Sequence, residues 1–230
     1  AKDWVKFGMN ISLGADKRQL ANSTQGYLNY MADNVSFGAI MFPTYISPYE
    51  YNEETKKYDG PEIERLPYIG AVNPIFKNKY YSYIGRTTQL NATGYALFTP
   101  FKNFNIKTQV SGDLWNYTVK DQGLPSYPYG SGTGYVSRNN SNDYTITYTN
   151  TIDYQWTIND THNFYILGGH ESVMYRYDYF SANRSGQTND KMMTLGNGTG
   201  TPSVSDSASE YAFNSVFGRI EYNFGKRYFF

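Results

Sequence analysis

Side chains that alternate apolar and polar over long stretches commit a chain to two-faced β-strands, and this sequence does so repeatedly. From 5 to 13 the odd positions read Val5, Phe7, Met9, Ile11, Leu13, and the even ones Lys6, Gly8, Asn10, Ser12. From 104 to 114 one face is Phe104, Ile106, Thr108, Val110, Gly112, Leu114, against Asn105, Lys107, Gln109, Ser111, Asp113. From 144 to 156 Tyr144, Ile146, Tyr148, Ile152, Tyr154 and Trp156 face away from a run of Thr145, Thr147, Thr149, Thr151 and Asp153. Further strands are expected at 84–98, 163–179 and 211–224, with a last one starting at Arg227. Strands this long exceed the usual length in a soluble sheet.

The connections alternate in length. Short ones fall at 99–103, 157–162 and 225–226, and long ones at about 15–83, 119–142 and 180–210. Short turns at one end and long loops at the other describe an all-β, antiparallel up-and-down transmembrane β-barrel. The short turns are then periplasmic and the long loops extracellular. Phe98, Phe104, Trp156, Phe164, Tyr222 and Phe224 gather at the turn end, as an aromatic girdle would. Val5, Phe7, Ile106, Val110, Ile146, Ile152 and Ile220 are expected to face lipid. Lys107, Gln109, Asp113, Thr149, Asp153, Arg219 and Glu221 are expected to face the lumen. One strand changes parity: Phe164 and Ile166 set one outward phase, and Val173, Tyr175, Tyr177 and Tyr179 the other. A β-bulge at Gly168-Gly169 would reset it and keep His170 and Glu171 out of lipid. Residues 16–34 carry Leu20, Tyr27, Leu28 and Met31 at helical spacing, which predicts a short helix packed at the rim.

Composition narrows the class. Twenty Lys and Arg balance 20 Asp and Glu, so no field draws the whole chain to nucleic acid. There is no cysteine, against a disulfide-stapled secreted domain. Mean hydropathy is −0.62, and no apolar run is long enough for a transmembrane helix. The 25 tyrosines suit strands and the lipid–water boundary alike. No composition shift divides the 230 residues, so they read as one unit. No signal-peptide pattern opens the chain, so it reads as a mature form or an internal fragment.

Catalytic and metal chemistry have little to stand on. His162 and His170 have neither cysteines nor a second histidine at ligand spacing. Glu53-Glu54 reads as a solvated pair, and Gly196, Gly198 and Gly200 as flexible loop, because no strand–glycine–helix context surrounds them. No enzyme, metal or cofactor is expected. Recognition has better candidates: Asp113, Trp115 and Tyr117 at the upper end of a strand, and Tyr127 and Tyr129 in the loop beyond, joined by Asp121. Flat rings and a carboxylate at a loop mouth suit a polar polymer. The competing reading makes these rings a rim girdle beside a disordered loop.

Four stretches resemble the SusC/RagA-type TonB-dependent transporters of Bacteroidetes. They are Lys6-Phe7-Gly8-Met9-Asn10-Ile11-Ser12-Leu13; Met41-Phe42-Pro43-Thr44 leading to Asn73-Pro74; His162-Asn163-Phe164 with Leu167-Gly168-Gly169-His170-Glu171; and Phe217-Gly218-Arg219-Ile220-Glu221-Tyr222-Asn223-Phe224-Gly225-Lys226-Arg227-Tyr228. The resemblance implies a bacterial outer-membrane protein importing large nutrients, mostly glycans and sometimes peptides. It implies a plugged barrel of about 22 strands, a SusD-like lipoprotein lid, and energy from the TonB complex. Residues 1–230 would then be a partial barrel. The plug and the remaining strands are not legible in it, and Phe230 is read as a truncation point. The alternative is a soluble or surface-exposed β-rich adhesin or glycan-binding module, which would stay in the aqueous fraction where a barrel needs detergent.

Overall fold

The computed structural model describes residues 4–20, 43, 45–65, 73–127, 132–225 and 227–230. Within them the chain runs as β1 (Val5–Leu20), a short helix α1 (Pro74–Tyr80), β2 (Tyr81–Phe101), β3 (Phe104–Gly123), β4 (Gly134–Ile158), β5 (His162–Gln187), β6 (Ser203–Phe224) and β7 (Tyr228–Phe229). The seven strands form one antiparallel sheet in chain order. Residues 102–103 turn β2 into β3, with Asn103 at φ 66°. Asn159 and Asp160, at φ 53° and 56°, turn β4 into β5. Two successive left-handed residues match the right-handed twist of a hairpin, and Asn and Asp tolerate that conformation well among non-glycine residues.

The register puts each alternating run on a definite face. Val5 lies beside Phe98, Phe98 beside Ile106, Ile106 beside Ile152, and Ile152 beside Gly168. Leu13, Leu90, Leu114 and Tyr144 form a second such row. Val5, Phe7, Ile106, Val110, Ile146, Ile152 and Ile220 therefore share one face, called the apolar face below. Phe7 and Ile220 are 77% and 75% exposed on it. The run from Trp156 to Tyr144 spans 12 residues, about 40 Å along a strand. At the usual barrel tilt that is roughly 30 Å along the membrane normal, the thickness of a hydrocarbon core.

The opposite, polar face carries Lys107, Gln109, Asp113, Thr149, Asp153, Arg219 and Glu221. Its neighbouring strands are joined by side chains. Thr93 and Ser111 lie 3.1 Å apart, Asn105 donates to Asp153 at 2.9 Å, Thr149 to Glu171 at 3.2 Å, and Ser181 to Asn139 at 2.7 Å. Such cross-strand pairs contribute roughly 0.2–1 kcal/mol each. At the turn end the apolar face carries a ladder of rings. Phe101 stacks on Phe104 at 4.6 Å, Tyr154 on Trp156 at 5.4 Å, Trp156 on Phe164 at 5.1 Å, and Phe164 meets Tyr222 at 4.9 Å.

The loop end has its own small cores. Asn73 is fully buried: its carboxamide donates to the carbonyls of Pro48 and Ile63 at 2.9 and 2.6 Å and caps α1 by accepting from the Ile75 N–H. Pro74 follows at the first helical position, where its missing N–H costs nothing. Lys79 reaches back 3.0 Å to Glu62, so its ammonium holds the Glu62 carboxyl below the usual range and is itself raised. The β5–β6 connection folds onto β5. Arg184 donates to Gly200 O at 2.8 Å and Leu195 O at 3.2 Å, and Met193 is buried.

Three expectations change. No bulge resets β5: Gly168 pairs with Ile152 and Gly218, and Gly169 with Thr151 and Phe217, in unbroken register. Val173, Tyr175, Tyr177 and Tyr179 therefore lie on the polar face, and His170 on the apolar one between Asn150 and Val216. The reason is steric. A Cβ on Gly169 would lie 2.2 Å from the Phe217 ring, so this glycine makes room for a ring and not for a bulge. Second, the strands run further than expected. β1 reaches Leu20, β3 Gly123 and β5 Gln187, which leaves shorter loops. Third, residues 16–20 belong to β1 and not to a helix; the rest of 16–34 lies outside the described residues.

Candidate functional site

The widest chemical variety on the polar face lies toward the loop end, where β1, β2 and β3 run side by side. Pairing sets Asp16 beside Thr87, Thr87 beside Tyr117, and Gln89 beside Trp115. Together with Arg18 these side chains line a groove of about 540 Å³. Trp115 and Tyr117, two apart on β3 and so on the same face, stack at 5.5 Å with 22° between their planes. Gly85 makes this possible, because a Cβ there would meet the Tyr117 hydroxyl at 2.9 Å. The guanidinium of Arg18 is ion-paired with Asp16 across one intervening residue.

The aromatic surface continues around the wall. Trp115 pairs with Asp143, and Asp143 with Tyr177. The Tyr175 hydroxyl donates to Asp143 at 2.6 Å, and its ring stacks on Tyr211 at 4.7 Å. Flat rings, a guanidinium, carboxylates and carboxamides are recognition groups. They offer apolar faces and forked hydrogen bonds to a polar chain. Among the described residues no three His, Cys, Asp or Glu side chains converge on a point where one ion could sit.

Three of the five sequence candidates share a strand face. Trp115 and Tyr117 form the floor of the groove, and Asp113 stands exposed one position toward the turn end, between Asn91 and Thr145. Tyr127 goes elsewhere. It packs against Tyr81 at 5.1 Å, Tyr80 at 5.6 Å and Phe76 at 6.2 Å, closing the space beneath α1. Asp121 belongs to β3 itself and accepts from Tyr135 at 3.3 Å. Tyr129 lies outside the described residues. Asp16 and Arg18 were missed because their segment was assigned to a helix. Tyr175 and Tyr177 were missed because the bulge turned them outward; parity counted unbroken from Phe164 places both correctly.

No family model and no curated protein matches the sequence. Solved structures do. The chain superposes on a structure described as the RagAB peptide transporter with a TM-score of 0.81 and 27% identity, over 98% of this chain and 25% of that one. Structures of the RagAB peptide importer in its "closed-closed" and "open-open" states match with TM-scores of 0.79 and 0.81, at 27% and 28% identity and the same coverage. The chain thus spans about a quarter of the length of those proteins. The strand order, the two-faced sheet and these matches agree: the chain is a β-barrel segment of the SusC/RagA type, set in the bacterial outer membrane.

Proposed function

We propose that this segment forms part of the wall of a TonB-dependent transporter that draws oligopeptides through a lumen closed from outside by a SusD-like lipoprotein. The observation that carries the reading is the division of the sheet into two faces. On one, Val5, Phe7, Ile106, Val110, Ile146, Ile152 and Ile220 meet lipid. The other lines the lumen, with the Trp115–Tyr117 groove near its extracellular mouth. The neighbours are described as peptide transporters, and the Arg18–Asp16 pair beside two rings offers both charges to a zwitterionic chain. Aromatic faces also suit a glycan, so the nutrient is decided by feeding. The TonB complex and the lid act through parts of the transporter beyond this segment.

The test is Trp115→Ala in the transporter that carries the segment, with peptides or oligosaccharides as the supplied nutrient. Uptake of peptide is expected to fall roughly tenfold, the loss of about 1.4 kcal/mol of binding, while the amount of barrel in the membrane stays constant. Loss of uptake and barrel together would make Trp115 a girdle residue. Unchanged uptake would move the substrate site off this wall, and a defect confined to oligosaccharide would assign the groove to glycans.

A further inference from the structure

The apolar face changes character toward the loop end. Beyond the row of Leu13, Leu90, Leu114 and Tyr144 comes a polar row with Asn116 and Asn142, and beyond that four cations. Lys17 is the direct cross-strand partner of Arg86, and Lys120 of Arg138. Arg86 and Lys120 stand on adjacent strands two positions apart in register, because Arg86 pairs with Thr118. Like charges placed directly opposite each other destabilise a sheet, and this sheet holds two such pairs side by side. No carboxylate among the described residues bonds to any of the four; Asp178, on the same face, is taken by Arg176 at 3.1 Å. Arg86, Lys120 and Arg138 line a groove of about 630 Å³ whose apolar flank is Ile84 and Phe180.

Position says what the cations face. Lys17 and Arg86 are four residues past Leu13 and Leu90, about 13 Å along the strand and roughly 10 Å along the normal at the usual tilt; Lys120 and Arg138 are six past Leu114 and Tyr144, about 20 Å along the strand and roughly 15 Å along the normal. Directed down the strand, the long side chains of the first pair reach into the headgroup layer above the hydrocarbon, and those of the second reach its outer edge. Long basic side chains laid over apolar surface with their charges at that level are suited to anionic headgroups, and guanidinium forks match phosphate oxygens in pairs.

We propose that Lys17, Arg86, Lys120 and Arg138 form a binding site on the outside of the barrel for the phosphorylated headgroup of an outer-leaflet lipid. The lipid's acyl chains lie along the leucine row below, and its phosphates relieve the repulsion of the two like-charged pairs. The site rests on the apolar face meeting lipid, and not on what the lumen carries.

The test uses the full transporter in detergent, with lipid A as the probe. The native protein should retain lipid A through purification, and its melting temperature should rise when the lipid is added. The variant Lys17→Gln/Arg86→Gln/Lys120→Gln/Arg138→Gln should bind at least tenfold more weakly and lose the rise. Without lipid it should melt no lower than the native protein, because its repulsions are gone. Lys107→Gln, on the polar face, should leave retention unchanged. Millimolar inorganic phosphate should not displace the lipid; displacement would make the site one for a free anion and overturn the lipid assignment. Equal retention by native protein and fourfold variant would overturn the site. A spin label at Val110 in the same preparation keeps the two readings apart. Quenching there from lipid, with no difference in retention, removes this inference and leaves the barrel orientation standing.

Discussion

Most glycines of the polar face are used in the opposite way to those of the apolar face, Gly14 on the first strand being left open. On the apolar face Gly94, Gly112 and Gly168 have nothing within 4 Å of where a Cβ would be. On the polar face Gly8 lies under the Tyr95 ring, Gly123 under Tyr135, and Gly169 under Phe217, each with ring atoms 2.2 to 2.6 Å from a notional Cβ. Lipid chains fill the space that a glycine leaves on the outside, so nothing needs to cover it. Inside, a ring laid flat over the bare backbone keeps contact that a side chain would otherwise supply, and turns an aromatic face to the lumen. The covered glycines thus thin the wall from within while keeping it packed.

The largest effect should come from breaking the division between faces. Val110→Arg is expected to cost about 2–4 kcal/mol of unfolding stability in lipid vesicles. Gln109→Arg, one residue away, should change stability by no more than about 0.5 kcal/mol. Denaturant titration of both gives the comparison, and equal losses would sink it. The glycine contrast comes next. Gly169→Ala displaces the Phe217 ring and should cost about 1–3 kcal/mol, as overpacking does, whereas Gly168→Ala should be neutral or slightly favourable. Matching melting curves for the two would show that the ring does not depend on the glycine.

His170 sharpens the same boundary. It stands on the apolar face beside Asn150, and His170→Leu should raise stability in lipid by about 1 kcal/mol. A loss in the same titration would mean that the imidazole meets a polar partner from outside this chain. The smallest effect lies off the wall, at Glu62 and Lys79. Because the Glu62 carboxyl is lowered by its hydrogen bond from Lys79, the contribution of the pair is complete above the ordinary carboxylate value and disappears as pH falls through the lowered one. Because Lys79 is raised, the same contribution is lost again only as pH rises beyond the ordinary lysine range. Protection of residues 47–63 against hydrogen exchange, taken relative to the intrinsic rate at each pH, should therefore weaken below about pH 4 and stay constant between pH 6 and 9.

The faces were legible in the sequence because period two is a physical requirement wherever one side meets hydrocarbon. Val5, Ile106 and Ile152 fall on one side by counting alone. Strand ends were not legible, since above the membrane both faces are wet and alternation disappears. Val119, Lys120, Asn140 and Asn142 read as loop and are strand. Tyr175 and Tyr177 were ambiguous because tyrosine suits lipid boundary and lumen alike. Asp16 and Arg18 showed no apolar partner in alternation, so their place beside Trp115 needed the register. The buried carboxamide of Asn73 stood out only as a motif; its hydrogen bonds to Pro48 and Ile63 span a loop that sequence spacing does not fold.

The placement of the three tryptophans makes the wall its own spectrometer. Trp4 meets Phe98 at the turn end, Trp156 sits in the ring ladder there, and Trp115 lies by the groove at the other end, stacked on Tyr117. Emission from the first two follows entry of the wall into a bilayer, and quenchers carried on lipid tails reach it. Emission from Trp115 answers to water-borne quenchers and to whatever occupies the groove. With Trp115 replaced by phenylalanine the remaining signal isolates insertion. With Trp4 and Trp156 replaced it isolates occupancy, so assembly and cargo can be watched separately without an added dye.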